Sequence, residues 1–109
     1  TELIFTQKLQ AKILERLSIR NFPMPQISYF LGIAIRMFYR DHNPPHFHAI
    51  YGNFEGIIDI EKNEMIGGNL PPRIIGIIKE WASLHQSELI ENWERAREQE
   101  VLKEIKPLN

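Results

Sequence analysis

Gly52-Asn53, a two-residue turn signal between two runs of strand-like residues, constrains this chain more than any other feature. Glycine enters the positive-φ conformation of a tight turn at no steric cost, so this pair predicts an antiparallel hairpin. The turn also sets a register. Counting back from it, His46 lies opposite Asp59 and His48 opposite Ile57. Directly opposed residues share a face of the sheet, and a slip of one residue would send every side chain to the other face.

The neighbouring segments extend this hairpin in both directions. From Gly32 to Arg40 the chain alternates, with Ile33, Ile35, Met37 and Tyr39 on one side and Ala34, Arg36, Phe38 and Arg40 on the other. That period of two predicts a half-buried strand over 33–40, a loop over 41–45 and a return strand over 46–51. Phe54–Glu61 reads as the third strand, Lys62-Asn63 as a weaker turn, and Glu64–Ile66 as a short fourth strand that Gly67-Gly68 ends. Ile27–Leu31, short and apolar, reads as a turn of helix or a brief strand.

Pro71-Pro72 opens a helix, where a proline in the first turn gives up no needed hydrogen bond. Ile74, Ile78, Trp81, His85 and Leu89 form its apolar stripe, and Ser87 caps a second helix to about Glu98, unless the two are continuous. The predicted fold class is α+β: a four-stranded antiparallel β-meander packed on one face by the C-terminal helix or helices. Residues 24–109 make this single domain. Residues 1–23 read as an N-terminal helical extension, capped by Thr6 with Leu9, Ile13, Leu14 and Leu17 at helical spacing. So short a helix must dock, on the body or on a second copy as a homo-oligomer contact.

The 109 residues suffice for one modest core, and 43% hydrophobic with 25% charged content is ordinary for a globular domain. No apolar run is long enough to span a bilayer and no signal-peptide pattern opens the chain, so a cytoplasmic protein with no membrane partner is expected. The absence of cysteine (Cys 0) excludes disulfides, thiol nucleophiles and cysteine-type zinc sites. A formal net charge of −1 argues against a large nucleic-acid footprint. Residues 1–56 nevertheless carry 6 Lys/Arg against 4 Asp/Glu, which leaves room for a local basic face toward RNA.

Chemistry concentrates in Arg40-Asp41-His42-Asn43-Pro44-Pro45-His46-Phe47-His48, which holds three of the 4 histidines. With 41–45 as the loop, Arg40 pairs with His46 and Phe38 with His48, so Arg40, His46 and Asp59 form one row. Phe38, His48 and Ile57 form the next, and Arg36 lies one step further. A carboxylate orients an imidazole, an imidazole moves protons near neutral pH, and a guanidinium grips phosphate. RNA cleavage needs these groups. His46 and His48 would be acid and base, with Asp59 orienting His46, Arg36, Arg40 and His42 holding the substrate and Phe38 stacking a base.

Each feature also has a plainer reading. His46 and His48 suit a hydrogen-bonded hairpin surface. His42-x3-His46-x-His48 could instead hold a metal, although the spacing alone says little, and no metal or other cofactor is assigned. His85, Trp81 and Trp93 suit core or boundary positions, and the glutamates of the last helix suit a solvated face.

The runs Met24-Pro25-Gln26-Ile27-Ser28, Gly32-Ile33-x-Ile35-Arg36-Met37 and His42-Asn43-Pro44-Pro45-His46-Phe47-His48-Ala49-x-Tyr51-Gly52 resemble a small bacterial family, domain of unknown function 4160. Leu70-Pro71, Trp81 with His85, and Trp93-Glu94 extend the resemblance over about residues 24–108. The resemblance implies no activity and no catalytic residue. It implies genomic company with a small partner protein, in a pair suspected of being a toxin–antitoxin module. The leading expectation is therefore a toxin that acts as a metal-independent ribonuclease, with a small antitoxin-like protein partner. The rival is a non-enzymatic protein-binding module whose same face docks that partner, and a histidine metal site is a third reading.

Overall fold

The computed structural model describes residues 25–109. The N-terminal helix expected over 1–23 lies outside them. Five strands form one antiparallel sheet in chain order: β1 (Gln26–Phe30), β2 (Ile33–Arg36), β3 (His46–Tyr51), β4 (Phe54–Asp59) and β5 (Glu64–Asn69). Helices α1 (Pro72–Leu84) and α2 (Gln86–Arg97) follow. The domain is α+β and a meander, as the alternation requires, but with five strands instead of four.

The added strand is β1. Its hairpin turn is Leu31-Gly32, with φ of 51° and 80°. Positive φ at both central residues matches the twist of paired strands, yet leucine is a poor candidate for that conformation. Gly32 alone signals the turn, and of the two readings for Ile27–Leu31, a turn of helix or a brief strand, the strand is the one found. At the other edge, Gly67 and Gly68 do not end the sheet. They belong to β5, which pairs with β4 through a register shift between Ile57 and Ile58.

The β3–β4 register is the expected one, with His46 opposite Asp59 and His48 opposite Ile57. The β2–β3 register is not. Arg36, not Phe38, lies opposite His48, and β2 stops there. A shift of two residues keeps the expected face but lengthens the connection to residues 37–45. One backbone bond, Arg40 N–H to Ala96 O at 3.3 Å, holds this loop against α2, while Met37 N–H to Pro25 O at 3.3 Å extends the β1–β2 pairing by one residue. Arg40 sits at φ 55° within it and does not pair with His46.

The helices cover the face bearing Ile33, Ile35, Phe47 and Ala49, all fully buried. Trp81 of α1 packs its ring 5.1 Å from Phe30 and 5.9 Å from Phe47, centroid to centroid. Ser87 caps neither helix; His85 joins them, and its Nδ1 lies 2.7 Å from Glu88 Oε1. The end of α2 closes with Gln99 at φ 60°, Gln99 N–H to Ala96 O and Glu100 N–H to Arg95 O at 2.8 Å, a Schellman arrangement without glycine.

The C-terminal residues then return as a strap along β1. Asn92, fully buried, donates to Lys103 O at 2.8 Å and accepts from Lys103 N–H at 2.9 Å. Ile105 N–H bonds to Ile27 O at 2.8 Å, Ser28 Oγ donates to Ile105 O, and Trp81 Nε1 to Lys106 O. This satisfies part of an edge strand that would otherwise be open to pairing with another chain.

Candidate functional site

The sheet face away from the core carries the histidines. His46 and His48 alternate with the core residues Phe47 and Ala49 along β3, so both imidazoles leave on the same side. Both are nonetheless buried, at 6% exposure each, because the long 37–45 loop folds back over them. Its Asp41 carboxylate is the centre of the site. Asp41 Oδ2 lies 2.8 Å from His46 Nε2 and 3.6 Å from His48 Nε2, while Oδ1 accepts the His42 N–H at 2.9 Å. Burial pushes the Asp41 carboxyl up, but the His42 N–H, the His46 side chain and the charges of His46 and His42 outweigh it. The group is held below its ordinary value.

The outer nitrogens of both rings are also anchored. His46 Nδ1 meets Pro44 O at 2.7 Å, across a loop whose Asn43–Pro44 bond is cis, and His48 Nδ1 meets Glu55 Oε2 at 3.0 Å. The rings stand 5.3 Å apart. His46 backs onto Trp93 of α2 at 5.2 Å, and Phe38 meets His48 edge-on at 5.0 Å. His48 Nε2 is buried and has no hydrogen-bond partner among the described residues, since 3.6 Å to Asp41 is too long for one.

These groups form the floor of an open cavity of about 340 Å³, lined by Phe38, Asp41, His42, Asn43, Pro44, His46, His48, Ile57 and Ile66. One wall is apolar (Phe38, Ile57, Ile66). Among the described residues, no Lys or Arg lines it. Ligand atoms of Asp41, His46 and His48 all lie within 4.8 Å of one another, close enough for one ion.

Of the residues singled out in the sequence, His46, His48, Phe38 and His42 converge on this cavity, His42 from an exposed rim position. Arg36 stands opposite His48 in the ladder, and Arg40 adjoins Asp41 in the chain, but neither lines the cavity. Asp59 shares its row with His46, yet its Oδ1 accepts Lys62 N–H at 2.9 Å and tightens the β4–β5 turn. The carboxylate bonded to His46 is Asp41. Glu55 was legible in principle: with His48 opposite Ile57, a residue two positions from Ile57 is its diagonal neighbour on the same face. Nothing local marks Asp41, which reaches His46 only through the closure of the loop.

Residues 32–94 match the protein family described as domain of unknown function, DUF4160. No curated protein and no solved structure matches the chain.

Proposed function

The chain belongs to the DUF4160 family, and we propose that its histidine pocket is the reacting centre of a ribonuclease, the toxin of a toxin–antitoxin pair. One observation carries this reading. Two imidazoles, each fixed at its outer nitrogen, turn their inner nitrogens toward one carboxylate on the floor of an open cavity. Pro44 O only accepts hydrogen bonds, so His46 Nδ1 carries a proton, and its 2.8 Å contact with Asp41 needs a second proton on Nε2. In the ion-free pocket His46 is thus an imidazolium, placed to protonate a leaving 5′-oxygen. His48 donates through Nδ1 to Glu55 and keeps a bare Nε2, placed to take the proton of a 2′-hydroxyl.

Phe38 and the apolar wall suit a nucleobase, and Arg36 and Arg40 flank the pocket by ladder position and by sequence. The test compares growth and total RNA in cells expressing the chain or its His46→Ala/His48→Ala form. Growth arrest with RNA loss for the unaltered chain alone is expected; equal, harmless growth of both would refute the reading. A second reading, docking of a small protein partner on the same face, is favoured by Ile66. This wall residue is 48% exposed and lines the cavity with Phe38 and Ile57, an apolar wall that a partner would cover.

A further inference from the structure

One proton, on His46 Nε2, separates the pocket from a cluster of three electron-pair donors. His46 Nδ1 faces a carbonyl and His48 Nδ1 faces a carboxylate, so each ring holds a hydrogen at its outer nitrogen. A neutral ring then presents a lone pair at Nε2. Once His46 gives up that proton, both Nε2 lone pairs and a carboxylate oxygen lie within 4.8 Å of one another, and none of the described residues donates to His48 Nε2. Three electron-pair donors around a common centre are what a cation requires.

We infer that Asp41 Oδ2, His46 Nε2 and His48 Nε2 bind a divalent first-row transition-metal ion, with further coordination positions open to the cavity. The spacing fits. Ligands about 2.1 Å from an ion stand about 3.0 Å apart in octahedral and about 3.4 Å apart in tetrahedral geometry. The two observed separations from Asp41 Oδ2 are 2.8 and 3.6 Å. The outer contacts fit as well. A ligating histidine characteristically donates its other ring N–H to a carbonyl or carboxylate, as His46 does to Pro44 and His48 to Glu55. Two imidazoles with one carboxylate suit zinc, iron(II), cobalt(II) or manganese(II) better than calcium or magnesium, which favour oxygen.

This site goes beyond the ribonuclease reading and stands without it. The ion would occupy the lone pairs that proton transfer needs, so the loaded form is inactive in that acid–base chemistry. The experiment strips the full chain with a chelator and titrates it with Zn2+ by calorimetry. Co2+ absorption on the unaltered protein then serves as a readout independent of any variant's folding. Expected are one ion per chain, a visible Co2+ band, and at least a tenfold weaker affinity in Asp41→Asn and His48→Gln. His85→Gln, remote from the pocket, should bind as the unaltered chain does.

No uptake of Zn2+, Co2+, Mn2+ or Fe2+ by the unaltered chain would overturn the inference, as would equal affinity in Asp41→Asn. RNA cleavage measured alongside separates the two readings. Binding without cleavage in either form keeps the metal site and removes the ribonuclease, whereas cleavage without binding does the reverse. Cleavage that requires the ion keeps the site and overturns its inhibitory role.

Discussion

Replacing His48 by leucine, of similar volume, should stabilise the ion-free protein. A histidine kept for folding would behave in the opposite way. His48 is 6% exposed and its Nε2 has no hydrogen-bond partner among the described residues. A buried, unsatisfied polar atom costs about 1–3 kcal/mol, which leucine removes. Against this stands the loss of the Glu55 contact, worth about 0.2–1 kcal/mol because the Glu55 side chain is 52% exposed. Loss of the aromatic component of the Phe38 contact takes roughly another 0.5 kcal/mol. The net expectation is about 1 kcal/mol of stabilisation, or about 4–8 °C in Tm for a domain of this size. The assay is urea and thermal unfolding of both proteins in chelator. Zinc at about 100 times Kd should then stabilise the unaltered chain by about 2.7 kcal/mol and reverse the order. Destabilisation of His48→Leu by more than about 1 kcal/mol in chelator would refute the reasoning, because Nε2 would then have to be satisfied and the histidine structural.

Asn92→Ala removes both bonds to Lys103 and should cost about 2–3 kcal/mol. Hydrogen exchange should show faster loss at the Ile105 amide than at β3–β4 amides. Gly68→Ala places a Cβ 2.2 Å from Glu55 O at a φ of 80°, so β5 must move off β4; a loss of about 2–4 kcal/mol is expected in denaturant unfolding. Gly76→Ala, in open space on α1, should instead add about 0.5–1 kcal/mol. Asp41 is held below its ordinary pKa when folded, so its contribution is present above the unfolded value and lost as pH falls through the folded one. Stability measured in chelator below about pH 4 should therefore fall more steeply for the unaltered chain than for Asp41→Asn.

Local chemistry determined much of this molecule from the sequence alone. The alternation over Ile33–Arg36, the Gly52-Asn53 turn and the proline-led helix act over a few residues, so they are legible without a partner segment. They placed His46 and His48 on one face and opposite Asp59 and Ile57. Local signals failed where an element is held by distant ones. β1 turns through Leu31 at positive φ, a residue that gives the turn little signal, whereas α2 stops near Glu98 as expected, with Gln99 in the left-handed position after the cap. The strand expected over 33–40 leaves β3 at Arg36: Met37 still bonds to Pro25 on the β1 side, while Arg40 gives its N–H to Ala96 of α2. Tertiary structure alone decided the site's carboxylate. Asp59 shares a row with His46, but its carboxylate accepts the Lys62 N–H in the turn four residues from the strand's Ile58. Asp41 reaches both rings because the 37–45 loop closes over the face, and the closing contacts join residues far apart in the chain. Periodicity specifies the side of a sheet on which a residue stands; only the closed loop specifies which groups meet there.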